Sequence, residues 1–426
     1  MGLKTYWRCC TAALFLLAGA AASSSAQSLS ERLGPDFLNT LGVGSRAVAM
    51  GNAYSAIADD ASATFWNPAR LSVIQKRQFM LDYRSVVHSR ASQTNLGIPA
   101  KTSVADPQLS FVSFVYPLVQ VRPSPTPDDP ERKVSRNWGT IGFSYTLGGY
   151  FNYELVTSIN DPSGGNNSAA LGRAVQTGTF NNVIRNEYVT VSYGIQGNPK
   201  SLGGATVGLG VGYYRLNHSQ SRITVSETIL DQGSRIRTET REREKGDADG
   251  YLIGFTYRPR LKQEDAPWYL GICYRSGTTI GGLSEVGRGF GNEVPDRLSI
   301  GLAYNFPIQR DLLIVSTEGQ FFSSANKPGQ TDERKAITNF HVGMEFVPER
   351  PLLTIPGVAT LNAVRLGFRT NANAAKNYTN YDNVVSLGFA LQRRDGVNLI
   401  TSLEPAIEIL TGTGDFQWTL TGIVRF

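Results

Sequence analysis

From Gln78 to Phe426 the chain keeps returning to one pattern, an apolar side chain at every second position with glycine, serine or threonine between. Ile141, Phe143, Tyr145 and Leu147 are separated by Gly142, Ser144 and Thr146, and Val189, Val191, Tyr193 and Ile195 by Thr190, Ser192 and Gly194. Val207, Leu209, Val211 and Tyr213 are separated by glycines. The same alternation runs through Tyr251–Tyr257, Trp268–Tyr274, Leu298–Tyr304, Phe340–Phe346, Val364–Phe368 and Val385–Leu391. Successive side chains of a strand point to opposite faces, so this period specifies strands with one apolar face.

Fourteen segments carry the pattern with varying strength: 78–88, 109–117, 139–153, 187–196, 205–217, 250–258, 268–276, 297–306, 311–321, 338–347, 362–370, 384–392, 398–405 and 416–426. An even number of short alternating strands is the signature of a closed membrane barrel. Such a barrel needs only one apolar face per strand, which fits a mean hydropathy of −0.19; a helical membrane protein would be far more apolar. The rival architecture is a pair of soluble sandwiches with eight to ten strands in total. The expected fold is all-β, a transmembrane outer-membrane barrel of about fourteen antiparallel strands with an N-terminal luminal hatch.

The connections alternate in length, as they do in barrels with short periplasmic turns and long outer loops. The long set is 154–186, 218–249, 277–296, 322–337, 371–383 and 406–415; the short set is 197–204, 259–267, 307–310 and 393–397. The proline-rich 118–138 and the segment 348–361 depart from this parity. Trp138, Tyr150, Tyr153, Tyr188, Tyr213, Tyr257, Tyr269, Tyr304 and Trp418 lie near strand ends, where interfacial aromatic girdles are expected.

Residues 1–26 read as a secretory signal peptide: Lys4 and Arg8, the apolar run Thr11–Ala22, then Ser24, Ser25 and Ala26. Its apolar run is too short to cross a bilayer. Cys9 and Cys10 precede the run, which disfavours a lipoprotein. Cleavage leaves Cys273 alone, so no internal disulfide forms. It also lowers the formal net charge from +6 to about +4, a balance without a nucleic-acid footprint. The domains expected are 1–26 signal peptide, 27–77 hatch or plug, and 78–426 barrel.

Between leader and barrel lies Gly42–Leu71, rich in glycine and alanine. Small residues let backbones approach closely. Either Asp59 or Asp60 is placed to cap a short helix, and Pro68 biases Asn67 toward an extended conformation. An ordinary capped turn and helix of a secreted domain explains the same features. The segment Ser219–Asp249 holds Arg235, Arg237, Arg241, Arg243 and Lys245 among Glu239, Glu242, Glu244, Asp247 and Asp249. A basic cluster suits lipopolysaccharide or nucleic acid, but the acids nearly cancel it and a solvated, strand-extending hairpin is the simpler reading. No nucleophile elbow, metal spacing or phosphate loop is present, and His88, His218 and His341 are far apart, so neither enzyme activity nor a cofactor is expected.

The final segment puts Trp418, Leu420, Gly422, Val424 and Phe426 on one face. It looks like the signal by which outer-membrane assembly machinery takes up barrels, with Trp418, Leu420, Val424 and Phe426 as its residues.

The stretch Ala49–Ala69 closely resembles the N-terminal motif of the long-chain fatty acid and aromatic-hydrocarbon outer-membrane transporters. It is still more similar to the branch containing the type IX secretion shuttle (PorV/PorQ-like), where Trp-Asn-Pro-Ala is typical. Gly51, Ala53, Tyr54, Asp59, Asp60, Asn67, Pro68 and Ala69 match the shared motif, and Trp66 favours the shuttle-type branch. The resemblance implies a fourteen-stranded barrel in the outer membrane with a luminal hatch built from these residues. It also implies passive transport of hydrophobic compounds, with outer-membrane lipid, the assembly machinery and a hydrophobic small-molecule ligand as partners. The alternative it implies is a non-transporting scaffold or shuttle barrel that binds secretion or surface-assembly proteins.

Overall fold

The computed structural model describes residues 42–94, 100–123, 133–161, 174–229, 235–261, 264–283, 293–324, 336–356, 359–372, 381–395, 399–411 and 416–426. The leader and the segment 27–41 lie outside the described residues.

Fourteen long strands form one antiparallel sheet: β1 Gln78–Thr94, β2 Ala100–Pro123, β3 Lys133–Asp161, β4 Ala174–Gly197, β5 Thr206–Ile229, β6 Arg235–Arg258 and β7 Trp268–Arg275, followed by β8 Arg297–Ile308, β9 Asp311–Phe322, β10 Ile337–Val347, β11 Ala359–Ala372, β12 Tyr381–Asp395, β13 Leu399–Leu410 and β14 Phe416–Arg425. Each pairs with its sequence neighbour, and β1 pairs with β14 from Gln78↔Arg425 to Arg84↔Thr419. The sheet therefore closes, and no edge is left to face lipid, where unpaired backbone groups cost several kcal/mol each. All fourteen alternating segments are strands of this barrel.

The faces are sorted inside out relative to a soluble protein. Leu209, Val211 and Phe340 are outward and 56 %, 57 % and 60 % exposed, while Asp82, Arg84 and Glu408 are buried inside. An apolar outer belt around a polar interior, on a closed sheet, is the arrangement that spans an outer membrane.

Several strands run further than the apolar alternation. β2 starts at Ala100 rather than 109, β3 and β4 continue to Asp161 and from Ala174, and β5 and β6 pair out to Ile229↔Arg235. On β6 the outward positions beyond the lipid belt, Asp249, Asp247, Lys245, Arg243, Arg241 and Glu239, are charged and exposed, so pairing persists there where the hydrophobic period has gone. Past the β1–β14 ladder, β1 lies parallel against β3, from Ser89↔Tyr153 to Thr94↔Ser158. The turn Gln309–Arg310 is tight, with Gln309 at φ +59°.

Two aromatic assignments are corrected. Tyr188 is buried on the luminal face, and Tyr269 packs against the plug core, so neither belongs to a girdle. Trp138, Tyr213 and Tyr304 are exposed on the outer face; Trp418 packs on Tyr83, and Tyr257 on Trp268. The side chains of Tyr150 and Tyr153 lie outside the described residues. Leu147 is buried where a β-bulge shifts the β3–β4 register after it.

Candidate functional site

The segment 42–74 fills the barrel interior. Helix α1, Ser45–Ala49, ends at a left-handed turn with Gly51 at φ +60° and Asn52 at φ +64°. Helix α2, Ala63–Trp66, leads through extended Asn67 (φ −163°) into a 3-10 helix, Pro68–Val73. The Asn67 side chain accepts from Ala69 N at 3.1 Å, so Asn67 caps this last turn with Pro68 at its first position.

The barrel wall meets this segment with glycine. Gly194, Gly210 and Gly254 are register partners on β4, β5 and β6. A Cβ on Gly210 would stand 2.2 Å from Ala69 N, and one on Gly254 2.2 Å from Asn67 Oδ1. Across the lumen, Gly343 and Gly367 pair between β10 and β11, and a Cβ on Gly367 would stand 2.0 Å from Gly51 N. The small luminal face thus lets the plug backbone lie directly on the wall.

Charge fixes the plug on one side. Arg46 binds Glu345 of β10 in bidentate fashion (Nε–Oε1 3.0 Å, Nη2–Oε2 2.6 Å) and also pairs with Asp59. Glu345 in turn accepts from Arg365 Nε at 2.7 Å, and Arg365 Nη1 reaches Glu404 at 2.7 Å. A second chain links Arg84 to Glu408 and Glu408 to Arg369, with Arg84 Nη1 donating to Gly42 O at 2.8 Å. Asp82 accepts from Thr421, Ser110 and Gly44 N. On β9, Glu318 Oε2 accepts from Tyr54 N at 3.0 Å and Ser55 N at 2.8 Å.

The opposite sector differs. Tyr188, Tyr214, Leu216, Leu252 and Cys273 from β4–β7 form an apolar cluster with Ile280, Leu283 and Val294 from the connection beyond β7. Beside it stand Arg275 and Arg297, register partners on β7 and β8, both buried. The Arg275 guanidinium lies 4.4 Å from the Phe65 ring centroid and 5.5 Å from that of Tyr188; Arg297 lies 5.4 Å from Phe65. Arg275 donates to Phe65 O at 3.1 Å. Arg275 Nε and Arg297 Nη1 are buried without a hydrogen-bond partner, and among the described residues neither guanidinium forms an ion pair with a carboxylate.

No protein-family model matches the chain, and no curated protein does. Solved structures similar to it include a Pseudomonas aeruginosa FadL homologue, 13 % identical, covering 90 % of this chain and 96 % of that one, with a TM-score of 0.47. The P. putida toluene transporter TodX is 13 % identical over 90 % of this chain and 97 % of that one, TM-score 0.40. The Ralstonia pickettii toluene transporter TbuX is 13 % identical over 91 % and 98 %, TM-score 0.44.

The residues singled out in the sequence serve mainly to hold the plug together. Tyr54 Oη donates to Asp60 Oδ2 at 2.8 Å, and Ser62 N to Asp60 Oδ1 at 2.9 Å. Asp60 therefore closes the turn before α2, whose N-cap, Ser62, makes no side-chain cap bond. Burial raises the Asp60 carboxyl above its ordinary range, helped by the neighbouring Asp59. Trp66 Nε1 donates to Val43 O at 2.9 Å, with its ring edge-on to Tyr54 and Phe65. Ala53 and Ala69 are fully buried, and Gly51 O accepts from His341 Nδ1 at 2.7 Å. In β14, Leu420, Val424 and Trp418 share the outer face, Phe426 is exposed, and its N–H donates to Arg77 O at 3.1 Å.

Sequence reasoning passed over Arg46, Glu318, Arg84, Glu408 and Arg275, and touched Arg297 and Glu345 only as the ends of short stretches, Val294–Arg297 and His341–Glu345, with a weak familial look. One signal was available: in the wall strands they are charges at the positions otherwise held by Gly, Ser and Thr.

Proposed function

We propose that the barrel carries hydrophobic compounds passively across the outer membrane, with 42–74 as the gate. The observation that carries this is the asymmetry of the lumen. One sector is locked to the plug by ion pairs, while in the other Tyr188, Tyr214, Leu216 and Leu252 form a buried apolar cluster near Phe65, bridged to it by Arg275. Buried cations with no carboxylate in contact are costly. A cargo with a carboxylate head and an apolar tail would supply that charge to Arg275 and Arg297 and lay its tail on the cluster. Long-chain fatty acids are such cargo.

The test is uptake of a labelled long-chain fatty acid by cells making the protein. Uptake should exceed that of cells lacking it, and Arg275→Ala with Arg297→Ala should lower uptake of the acid more than that of an uncharged hydrocarbon. Uptake no higher than in cells lacking the protein would remove the reading.

The ion pairs that clamp Arg46 favour a second reading, a non-conducting scaffold that binds secretion or surface-assembly proteins. Under it the plug never moves. Trp66 does not separate the two, because its indole is occupied inside the plug. We also assign Trp418, Leu420, Val424 and Phe426 to recognition by the assembly machinery; their shared outward face supports this.

A further inference from the structure

The acidic and basic residues of β6 nearly cancel along the sequence, but the strand separates them by face. Ala248 is buried on the luminal side, so Glu242 and Glu244 share the luminal face. Arg243 and Lys245 point outward and are exposed. Next to them on the outer surface, Arg185 of β4 and Arg215 of β5 complete a cleft of about 540 Å³. Two carboxylates also line it: Glu187, 2.6 Å from Arg185, and Asp247, 2.7 Å from Arg215. Each neutralises one arginine. Among the described residues Arg243 and Lys245 form no ion pair, so the cleft keeps two uncompensated cations.

The position of the cleft says what it meets. On β5 the outward apolar run Leu209, Val211, Tyr213 is followed at the next outward position by Arg215. On β6 Tyr251 and Ile253 belong to the belt, and Asp249, Asp247, Lys245 and Arg243 follow beyond it. Tyr213 Oη donates to Asp249 at 2.5 Å, which marks the boundary. Outward positions recur about every 7 Å along a strand. Arg215 therefore stands one outward step beyond the hydrocarbon edge and Lys245 and Arg243 three and four steps beyond it, on the side where the strands extend into long hairpins. That is the headgroup layer of the outer leaflet.

We propose that this cleft binds the phosphate group of an outer-leaflet glycolipid, with Arg243 and Lys245 supplying the charge and Arg215 the nearer donor. Phosphate matches both the charge and the donors: guanidinium forks bind its oxygens in pairs, and ammonium adds a point charge. The acyl chains of the same lipid would lie along Val211 and Ile253. The proposal rests on the membrane placement of the barrel and is independent of what the lumen carries.

The test is native mass spectrometry of the full-length protein in mild detergent, titrated with a bis-phosphorylated acylated diglucosamine lipid. The same lipid without its phosphates and inorganic phosphate alone are run beside it. Each cation near a lipid surface contributes about 1 kcal/mol, so Arg243→Ala with Lys245→Ala should weaken binding by about tenfold or more. Arg310→Ala, an exposed arginine at the opposite end of the barrel, should change nothing. Both variants alter exposed side chains, and a heat-modifiable band on gels confirms that each barrel is folded. Equal retention by the double variant, or equal binding of the dephosphorylated lipid, would overturn the proposal. Inorganic phosphate binding as tightly as the lipid would overturn it too, by making the cleft a free-anion site.

Discussion

Arg46 of the plug and Glu345 of the wall, 299 residues apart in sequence, meet in a bidentate ion pair with side chains 14 % and 2 % exposed. Burial opposes both charges, and the pair is held because Arg365 and Asp59 complete it from either side.

Glu345→Ala leaves Arg46 with Asp59 alone and Arg365 with Glu404 alone, so the loss should stay below the roughly 3–5 kcal/mol of a buried charge stripped of its last partner. The change should still loosen α1, seen as faster proteolysis within 42–74 and a rise in single-channel current. The double variant Arg46→Ala with Glu345→Ala should be less destabilised than the two single changes added together. Unchanged proteolysis in Glu345→Ala would show that the plug is held by its backbone contacts instead.

Those contacts have their own test. Gly367→Ala places a Cβ about 2.0 Å from Gly51 N, which neither backbone can accommodate without moving. Overpacking of this kind costs about 1–3 kcal/mol. The barrel should still close while the plug seats less firmly, giving a lower thermal midpoint. Gly197→Ala, where a Cβ meets nothing within 4 Å, is the control.

How far this was legible in the sequence varies by residue. Alternation revealed the strands and their lipid face, because Leu209, Val211 and Tyr213 need apolar surroundings whatever their partners. It did not reveal Ala100–Gln108 or Glu154–Asp161, where pairing continues without a sustained apolar alternation. The Gly, Ser and Thr face was plain, but which glycine touches the plug depends on register. Arg84 and Glu408 are 324 residues apart, and only closure of the barrel brings them together. Asp60 and Asn67 were legible as turn residues because their partners are local.

Asp60 should make the plug sensitive to pH. Its folded carboxyl titrates above its ordinary value of 3.8, chiefly through burial and next through Asp59. A carboxyl raised on folding opposes the fold when ionised. Its contribution therefore becomes more favourable as pH falls through the folded value toward 3.8 and less favourable above it. Thermal midpoints measured across that window should show a slope from this group that Asp60→Asn removes. An identical slope in the variant would assign it to other groups.

Phe426→Asp tests the assembly assignment. The side chain is outward and exposed, so little luminal packing is lost. The heat-modifiable band in the outer membrane should fall several-fold while processed protein still reaches the periplasm. Normal accumulation of the band would contradict the assignment.

The proposed gate is tested most directly by locking it. Thr421 Oγ1 lies 2.8 Å from Ser45 Oγ, joining α1 to β14, so Ser45→Cys with Thr421→Cys in a Cys273→Ala background places two thiols within bonding reach. Initial rates of long-chain fatty acid uptake would be measured in oxidised cells and again after reduction. The account predicts that oxidation lowers uptake toward that of cells lacking the protein and that reduction restores it. Equal uptake in the two states, or none above background in either, would contradict it.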